Sequence, residues 1–404
     1  MSVGQDLRVG ILGAGVMGSS LALFLARKGA HVTIFDEDSV PFNGASRWNE
    51  GKIHLGYLYA GDPSLGTARK ILPGALRFKS IVEELVGRSI AEAFSYSDDV
   101  YLTHTDSVVD VEAMAAYLGK VSDLIRGHPD SKRYRAEISD NPVTRMSRAE
   151  LESISSSPNI KAGFRIPERS VRTRWIGDRF IEALRAESRI ELMLSARVIG
   201  VAESPASRWM VRLEDEKCGP FDILINALWH GRSAIDETLG MPKPGICSYR
   251  FRASLFLKSK REWDMPSAII TTGPFGDVKN YNKSEFYFSW YPAGLLIDSA
   301  TPQRFAIAGQ DEALKAQIVS RTLAGLHEYF PLTRQIAESA TELVVEGGWV
   351  IAEGGGQLSD PLSSLHKRDR FGVSHKGTYL TIDTGKYSTA PWLAARLANE
   401  LCGS

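Results

Sequence analysis

A glycine-rich turn near the N-terminus constrains the fold of this chain more than any other part of its sequence. A short apolar run, 8–12, is followed by Gly13-x-Gly15-x-x-Gly18, and apolar residues then recur at helical spacing over 19–28. Gly13 permits a tight turn, Gly15 lets the backbone approach a pyrophosphate, and Gly18 lets the helix pack closely on the strand. The free N–H groups at the start of such a helix attract an anion. The segment is therefore predicted to be the strand, turn and helix of a dinucleotide-binding unit.

Dinucleotide-binding units carry an acidic residue at the end of their second strand, and this chain has one there. Asp36 and Glu37 follow a second apolar run, 31–35, at about 20 residues beyond the glycines. A carboxylate at this point accepts hydrogen bonds from ribose hydroxyls. The strand before the turn, the helix after it and the acid together favour a nucleotide site over a purely structural turn. The pattern by itself fits NAD and FAD equally.

Length and charge predict a globular protein of two domains. The 404 residues exceed the ~250–300 at which a single hydrophobic core stops growing. Lys plus Arg and Asp plus Glu number 48 each. A chain with this balance has no global field that attracts nucleic acid or an anionic membrane. We therefore expect a small-molecule substrate and no nucleic-acid partner.

The cysteines and the apolar segments bear on metal binding and location. Cys218, Cys247 and Cys402 are far apart, which argues against a disulfide framework or a zinc site. The apolar run 9–12 is too short for a signal peptide, and no run approaches the ~20 apolar residues of a membrane span. We predict a cytoplasmic protein with no metal and no membrane association.

Hydrophobic periodicity predicts the remaining elements. Helical spacing is found at 67–85, 111–125, 177–187, 310–329 and 332–339. Strand-like runs are found at 191–202, 209–214 and 221–227, and the strand-rich stretch 249–298 indicates an antiparallel sheet. The C-terminus repeats the opening theme with a strand at 379–382, a loop at 383–391 and a helix at 392–401.

Five segments of the chain are similar to the D-amino acid oxidase family. They are residues 9–36, 45–57, 195–200, 221–227 and 379–386. That family includes glycine and sarcosine oxidases and, more distantly, L-2-hydroxyglutarate and glycerol-3-phosphate dehydrogenases. The order and spacing of the segments match over most of the chain, whereas the substrate-domain sequences do not.

The resemblance implies an α/β fold with two domains that are discontinuous in sequence. A Rossmann-type FAD-binding domain is expected from 1–85, 150–245 and 340–404. A second, α+β substrate domain, built on a mainly antiparallel sheet, is expected from 86–149 and 246–339.

The resemblance also implies that FAD is bound non-covalently. The residues that it assigns to FAD are Gly13, Gly15, Val16, Met17, Gly18, Asp36, Glu37, Ser46, Arg47, Asn49, Gly51, Lys52, Ile53, Arg197, Val198, Ala227, Gly385, Lys386, Ser388 and Thr389. The isoalloxazine ring is expected between the loop 49–54 and the loop 385–391. The second loop precedes the last helix, so its N–H groups and Lys386 favour negative charge at the flavin N1 and C2 carbonyl. The alternative is that Lys386 is a solvated loop lysine.

His54 is the candidate catalytic residue. The string Asn49-x-Gly51-x-Ile53-His54-x-Gly56 is similar to a histidine-containing loop of the L-2-hydroxyglutarate dehydrogenases, in which a histidine lies beside the flavin. A histidine accepts the proton of an alcohol or amine while hydride leaves its carbon. The alternative is a buried structural histidine. A covalent histidyl flavin is poorly supported by the surrounding sequence, and the attachment cysteine of sarcosine oxidases has no counterpart near the loop 385–391.

Arg368 and Tyr291 are the candidate substrate residues. Family members often carry an arginine near 360–372 that binds the substrate carboxylate, and the planar guanidinium suits that task. This sequence departs from the usual Gly-x-Arg-Pro string, because Gly347-Gly348-Trp349 stands at the nearest position. The departure leaves open which arginine faces the flavin.

The leading hypothesis is an FAD-dependent oxidase or dehydrogenase that removes hydride from a CH–NH or CH–OH carbon of a small, anionic metabolite. O2, a quinone or another acceptor would reoxidise the flavin. The alternatives are a 2-hydroxy-acid dehydrogenase with a non-oxygen acceptor, an NAD-dependent dehydrogenase and a non-catalytic FAD-binding protein.

Overall fold

The computed structural model describes residues 7–134, 143–242 and 245–403. The strands in these ranges are β1 (Arg8–Leu12), β2 (His31–Phe35), β3 (Asp99–His104), β4 (Thr144–Arg145), β5 (Ile160–Ile166), β6 (Ile190–Met193), β7 (Val198–Glu203), β8 (Trp209–Leu213), β9 (Lys217–Phe221), β10 (Ile223–Asn226), β11 (Cys247–Ser259), β12 (Ala268–Thr271), β13 (Gly276–Asn280), β14 (Glu285–Trp290), β15 (Leu295–Ser299), β16 (Ala340–Glu353), β17 (Gly372–Lys376) and β18 (Tyr379–Asp383).

The helices in the described ranges include all the predicted helical segments and four further short helices that were not predicted. In chain order the helices are α1 (Val16–Arg27), α2 (Gly66–Val86), α3 (Val111–Arg126), α4 (Ser131–Tyr134), α5 (Arg148–Ile154), α6 (Thr173–Ala186), α7 (Arg232–Thr238), α8 (Tyr291–Gly294), α9 (Glu312–His327), α10 (Leu332–Glu338) and α11 (Ala390–Cys402). None of the helices in the described ranges is long and apolar enough to cross a bilayer.

A six-stranded sheet carries the glycine-rich turn. Its order is β17, β18, β10, β1, β2 and β6, and all neighbours are parallel except β17 and β18. The central strand β1 pairs with β10 on one side and β2 on the other. Helices α1, α2, α6 and α11 cover one face with a continuous apolar core. A parallel sheet buried in this way is the predicted Rossmann-type unit.

A three-stranded antiparallel sheet, β7, β8 and β9, packs on the other face of the six-stranded sheet. The prediction of one strand over 191–202 was wrong, because β6 and β7 belong to different sheets. Ser195, between them, has a φ of 53°, and its N–H donates to the carbonyl oxygen of Asp38. This local turn leads the chain from one sheet to the other, and hydrophobic periodicity does not reveal it.

A nine-stranded sheet forms the second half of the molecule. Its order is β15, β11, β14, β13, β12, β3, β5 and β4. β14 and β15 pair with different parts of β11, and β16 pairs with β11 over its whole length. All pairs are antiparallel except β3 and β12. Helices α9 and α10 pack on it through Ile318, Leu326 and Ile336. The predicted mainly antiparallel α+β architecture is confirmed.

Two strands, β5 and β16, belong to a different sheet from the one expected from the predicted domain boundaries. The ranges 150–245 and 340–404 assign β5 and β16 to the FAD-binding domain, whereas both strands pair within the nine-stranded sheet. β16 is paired with β11 over its whole length, from Ala340 to Glu353. Its central Gly347 and Gly348 interrupt any alternation that would mark it as a strand in the sequence. The domain division itself stays a prediction.

Candidate functional site

A cavity of about 1130 Å³ runs between the six-stranded and nine-stranded sheets. It begins at the glycine-rich turn, passes the loop 48–54 and ends at Arg368 and the loop 384–387. Its volume exceeds the ~300–1,000 Å³ of most small-molecule sites. The cavity is therefore large enough to hold a dinucleotide.

The glycine-rich turn has no room for a side chain at Gly13 or Gly18. A Cβ on Gly18 would overlap the carbonyl oxygen of Gly13, and one on Gly13 would lie 2.7 Å from the carbonyl oxygen of Ala227. Gly13 also has a φ of +100°. The turn is held by a hydrogen bond of 2.7 Å from Gly13 N–H to the carbonyl oxygen of Phe35. The N-terminus of α1 thus opens into the cavity beside Gly15.

Asp36 lies at the end of β2, on the cavity wall next to this turn. Its carboxylate accepts hydrogen bonds from Ala14 N–H at 2.6 Å and from Asp38 N–H at 2.9 Å. Burial raises the pKa of Asp36 to about 6, against the lowering effect of these two donors. Glu37 also lines the cavity, but its side chain is half exposed and pairs with Arg304 at 3.1 Å. Asp36 is thus the better placed of the two acids to meet a ribose.

The C-terminal loop reaches the other end of the cavity. Lys386 lies there beside Gly385, with its Nζ 5.3 Å from the centre of the Tyr59 ring. Burial and the positive charge of Arg368 lower the pKa of Lys386 to about 7. Thr389 accepts a hydrogen bond from Lys386 N–H at 3.1 Å and so shapes the loop before α11. Thr389 and Ser388 are buried and do not line the cavity.

His54 lines the cavity near Lys386 and is only 4% exposed. Its Nε2 is 3.9 Å from Oε1 of Glu50, beyond hydrogen-bond distance, and its ring centre is 5.6 Å from that of Tyr59. Among the described residues, Nδ1 of His54 has no hydrogen-bond partner. Burial, followed by the charge of Lys386, holds the pKa of His54 well below 6.5. The imidazole is therefore neutral at pH 7.

A buried ionic cluster holds the strand-like segment that leads to His54. Asp99 accepts from both Lys52 and Lys279, the latter at 2.9 Å, and Lys52 also lies 3.3 Å from Glu168. Glu168 in turn accepts from Leu55 N–H and from the hydroxyl of Tyr101. All four charged side chains are at most 1% exposed. We call Lys52, Asp99, Glu168 and Lys279 the ionic cluster.

Arg368 and Tyr291 lie on different elements at the same end of the cavity. Arg368 lines it and donates to the carbonyl oxygen of Ile351 at 2.9 Å. Burial and the charge of Arg250 lower the pKa of Arg368 to about 10. The hydroxyl of Tyr291 accepts from Arg250 at 2.9 Å. Tyr291 does not itself line the cavity.

The structure brings most of the predicted site residues to this one cavity. Those that line it are Gly13, Gly15, Val16, Met17, Asp36, Glu37, Ser46, Asn49, Lys52, His54, Arg197, Val198, Ala227, Arg368, Gly385 and Lys386. Those that do not line it are Gly18, Arg47, Gly51, Ile53, Tyr291, Ser388 and Thr389. Several of the second group support the loops that do, as Gly51 does with a φ of +65° and an N–H bound to the Asn49 side chain at 2.7 Å.

Sequence reasoning missed three charged residues that lie close enough to Lys386 to influence its pKa. Glu50 lines the cavity within the segment 49–54, yet it was not singled out. Arg250 and Arg252 lie on β11, two residues apart and therefore on one face of the strand. The signal that could have found them is an Arg-x-Arg pair inside an otherwise apolar strand, because buried arginines are rare without a partner.

The comparisons with known proteins agree with this geometry. The family model described as DAO, FAD dependent oxidoreductase, matches residues 8–367. The fold is similar to that of glycine oxidase from Geobacillus kaustophilus at 13% identity and a TM-score of 0.67, with 98% of this chain and 94% of that chain covered. It is also similar to iminodiacetate oxidase from Chelativorans sp. BNC1 at 17% identity and a TM-score of 0.67, with 98% and 96% covered. L-Proline dehydrogenase from P. horikoshii matches at 12% identity and a TM-score of 0.63, with 99% and 94% covered.

At these identities the solved structures show the fold, whereas the family match extends over most of the chain. The match decides in favour of FAD over NAD, which the glycine pattern left open. It also favours an enzyme over a non-catalytic binding protein. The cavity fits FAD, because its bare glycine turn and N-terminal helix end suit a pyrophosphate and its volume can hold the whole dinucleotide. The chain therefore belongs to the DAO family of FAD-dependent oxidoreductases.

Proposed function

We propose that this enzyme removes hydride from a CH–NH or CH–OH carbon of a small anionic metabolite. The observation that carries the proposal is the meeting of neutral His54 with Arg368 and Lys386 at one end of the cavity. A base and the positive guanidinium of Arg368 at one place suit a substrate that carries both an ionisable N–H or O–H and a carboxylate. Glycine oxidase and iminodiacetate oxidase, which share the fold, are named for amino-acid substrates of this kind.

FAD supplies the hydride acceptor in this proposal. His54 takes up the proton of the substrate nitrogen or oxygen, because its imidazole is neutral at pH 7 and its Nδ1 has no hydrogen-bond partner among the described residues. Arg368 binds the substrate carboxylate and so fixes the orientation of the reacting carbon. The 96% burial of His54 keeps bulk water from the same place.

Lys386 acts on the cofactor side in this proposal. An uncompensated lysine with a pKa of about 7 gains from any anion that comes close to it. The loop 384–387 and the start of α11 offer N–H dipoles in the same direction. Together they would stabilise negative charge on a flavin bound beside this loop.

Purified protein is expected to be yellow, and acid precipitation should release its FAD into the supernatant. The three cysteines, which are candidates for covalent attachment, do not line the cavity. Colour that stays with the precipitated chain would contradict non-covalent binding.

Anaerobic mixing with a panel of amino and hydroxy acids should bleach the flavin absorbance with at least one of them. If no amine or alcohol bleaches it, the proposed reaction is wrong.

Asp36→Ala is expected to weaken FAD binding by about 1.5–3 kcal/mol, because the ribose hydroxyls lose a charged acceptor. The carboxylate is the form that accepts best, so affinity in the wild type should fall as the pH drops through the Asp36 pKa of about 6. Asp36→Asn should bind FAD weakly at every pH. The dissociation constant, measured by fluorescence titration of the apoprotein, checks both expectations.

Glu37→Gln is the matched control, since the Glu37 side chain is half exposed and already paired with Arg304, and it should contribute little to FAD affinity. A large loss of affinity with Glu37→Gln and none with Asp36→Ala would assign the ribose to Glu37.

A further inference from the structure

The carboxylate of Glu168 contacts the chain on both sides of His54. One of its oxygens accepts a hydrogen bond from the backbone N–H of Leu55, the residue after His54, at 2.5 Å. Its other oxygen lies 3.3 Å from the ammonium group of Lys52, two residues before His54. The Glu168 side chain is fully buried, so bulk water does not compete for either contact. A single carboxylate thus joins the two ends of the short segment that contains His54.

Backbone pairing fixes the same segment from the N-terminal side. Ile53 N–H donates to the carbonyl oxygen of Arg169 at 3.0 Å. Two residues further along, the Glu168 side chain accepts the hydrogen bond from Leu55 N–H. His54 therefore lies between two bound N–H groups, which restrict its backbone dihedrals and fix the direction of its Cα–Cβ bond.

The imidazole of His54 is not oriented by hydrogen bonds of its own. Among the described residues Nδ1 has no partner, and Nε2 is 3.9 Å from Oε1 of Glu50, beyond hydrogen-bond distance. In many sites a carboxylate bonded to the imidazole sets its orientation. Here the orientation depends on the backbone that carries the ring, and that backbone is held by Glu168.

Glu168 is itself anchored to strand β3 of the nine-stranded sheet. The hydroxyl of Tyr101 donates to the oxygen that faces Lys52, and Asp99 N–H donates to the carbonyl oxygen of Glu168 at 3.0 Å. Tyr101 and Asp99 both lie on β3. A side chain that is locked by packing and by further hydrogen bonds on a regular element can position a functional group precisely.

We propose that Glu168 is a positioning residue, which orients the imidazole of His54 in the cavity by bridging Lys52 and Leu55. The role rests on the proposed function, because it affects the reaction only if His54 is the base. Glu168 does not line the cavity, so it acts through His54 and not by contact with the substrate. Displacement of a reacting group by about 1 Å costs about 10²-fold in rate.

NMR of the FAD-loaded enzyme with ¹⁵N-labelled histidine tests the orientation without any need for turnover. The chain has eight histidines, and the signals that are lost in His54→Gln identify those of His54. Wild type should give one sharp pair of His54 imidazole signals at pH 7, and Glu168→Gln should shift, broaden or split them. Broad or multiple signals in the wild type would overturn the proposal, and so would unchanged signals in folded Glu168→Gln.

Asp99→Asn is the matched control, because it removes one carboxylate charge from the same ionic cluster at the same burial. The Asp99 side chain bonds the ammonium groups of Lys52 and Lys279 and not the backbone beside His54. This variant should be less stable, yet its His54 signals should match those of the wild type. Equal changes in Asp99→Asn and Glu168→Gln would show that loss of the cluster disturbs His54, and would overturn the bridging role.

Glu168→Asp serves as a second variant if Glu168→Gln fails to fold. It keeps the charge beside Lys52, but its side chain is one methylene shorter and cannot reach Lys52 and Leu55 together. Circular dichroism and FAD content establish that it is folded. Its His54 signals should differ from those of the wild type, and identical signals would contradict the proposal.

Flavin reduction separates this proposal from the proposed reaction. With an amine or hydroxy acid that bleaches the flavin, Glu168→Gln should slow the limiting rate per bound FAD by about 10- to 100-fold and leave the substrate dissociation constant nearly unchanged. In a His54→Gln background the same change should cost almost nothing more, because both substitutions act through one imidazole. Full additivity would overturn the positioning role. An unchanged rate in His54→Gln would instead overturn the role of His54 as the base, and the NMR signals would still decide whether Glu168 orients the ring.

Discussion

His54→Gln should slow anaerobic flavin reduction by about 10²–10⁴-fold and leave FAD bound. Glutamine has a similar reach and keeps a hydrogen-bonding side chain, but it cannot accept a proton at neutral pH. The base is available in the wild type because burial and the nearby lysines keep the pKa of His54 well below 6.5. The acidic limb of the pH profile should therefore lie below pH 6.5, and it should disappear in the variant.

His104→Gln provides a matched control for this experiment. His104 is also a buried histidine, 7% exposed, but it contacts Tyr329 at 3.2 Å and does not line the cavity. Its replacement should lower the melting temperature and leave the reduction rate per bound FAD unchanged. If His54→Gln behaves in the same way as His104→Gln, then His54 is a structural residue and another group is the base.

Asp99→Asn should lower the free energy of unfolding by about 3–5 kcal/mol, the range for removing one partner from a buried ion pair. Asp99 is the shared acceptor of Lys52 and Lys279, so its neutralisation leaves the ionic cluster with two ammonium groups and one carboxylate. Chemical denaturation, followed by circular dichroism, measures the loss. Asp123→Asn, at an exposed pair with Arg126, should change stability by less than about 1 kcal/mol.

The effect of Asp99 should also depend on pH in a defined direction. Lys279 and Lys52 overcome the burial of Asp99 and lower its pKa below the usual 3.8. A carboxyl with a depressed pKa in the folded state contributes stability above its unfolded pKa and loses it as the pH falls through the folded value. The difference between wild type and Asp99→Asn should thus be constant at neutral pH and shrink below pH 3.8. A difference that grows on acidification would show that Asp99 is not ionised in the cluster.

The prediction of the nucleotide-binding half succeeded because its signals are local. The glycines at 13, 15 and 18 constrain a single turn, and Asp36 follows at the end of the adjacent strand. The strands on both sides are continuous apolar runs, as a buried parallel sheet requires. The family match over 8–367 bears out the FAD assignment that the resemblance implied.

Pairing between distant segments was harder to predict. β16 joins the nine-stranded sheet because β11 offers it a complete edge, although Gly347 and Gly348 disrupt its own pattern. The ionic cluster joins residues 52, 99, 168 and 279, and nothing in the sequence around any one of them indicates the other three. These ion pairs have a large effect on stability because they are buried, and burial is a property of the folded chain.

The sequence by itself determined the turn, the helix and the acid that suit one end of a dinucleotide, because each depends on the conformation of a few neighbouring residues. Only the tertiary structure decided which charges meet at the other end of the cavity. There β11, the loop 49–54, Arg368 and Lys386 come together from four parts of the chain. The electrostatic environment of His54, and with it the neutral state that its proposed role as a base requires, arises from that meeting.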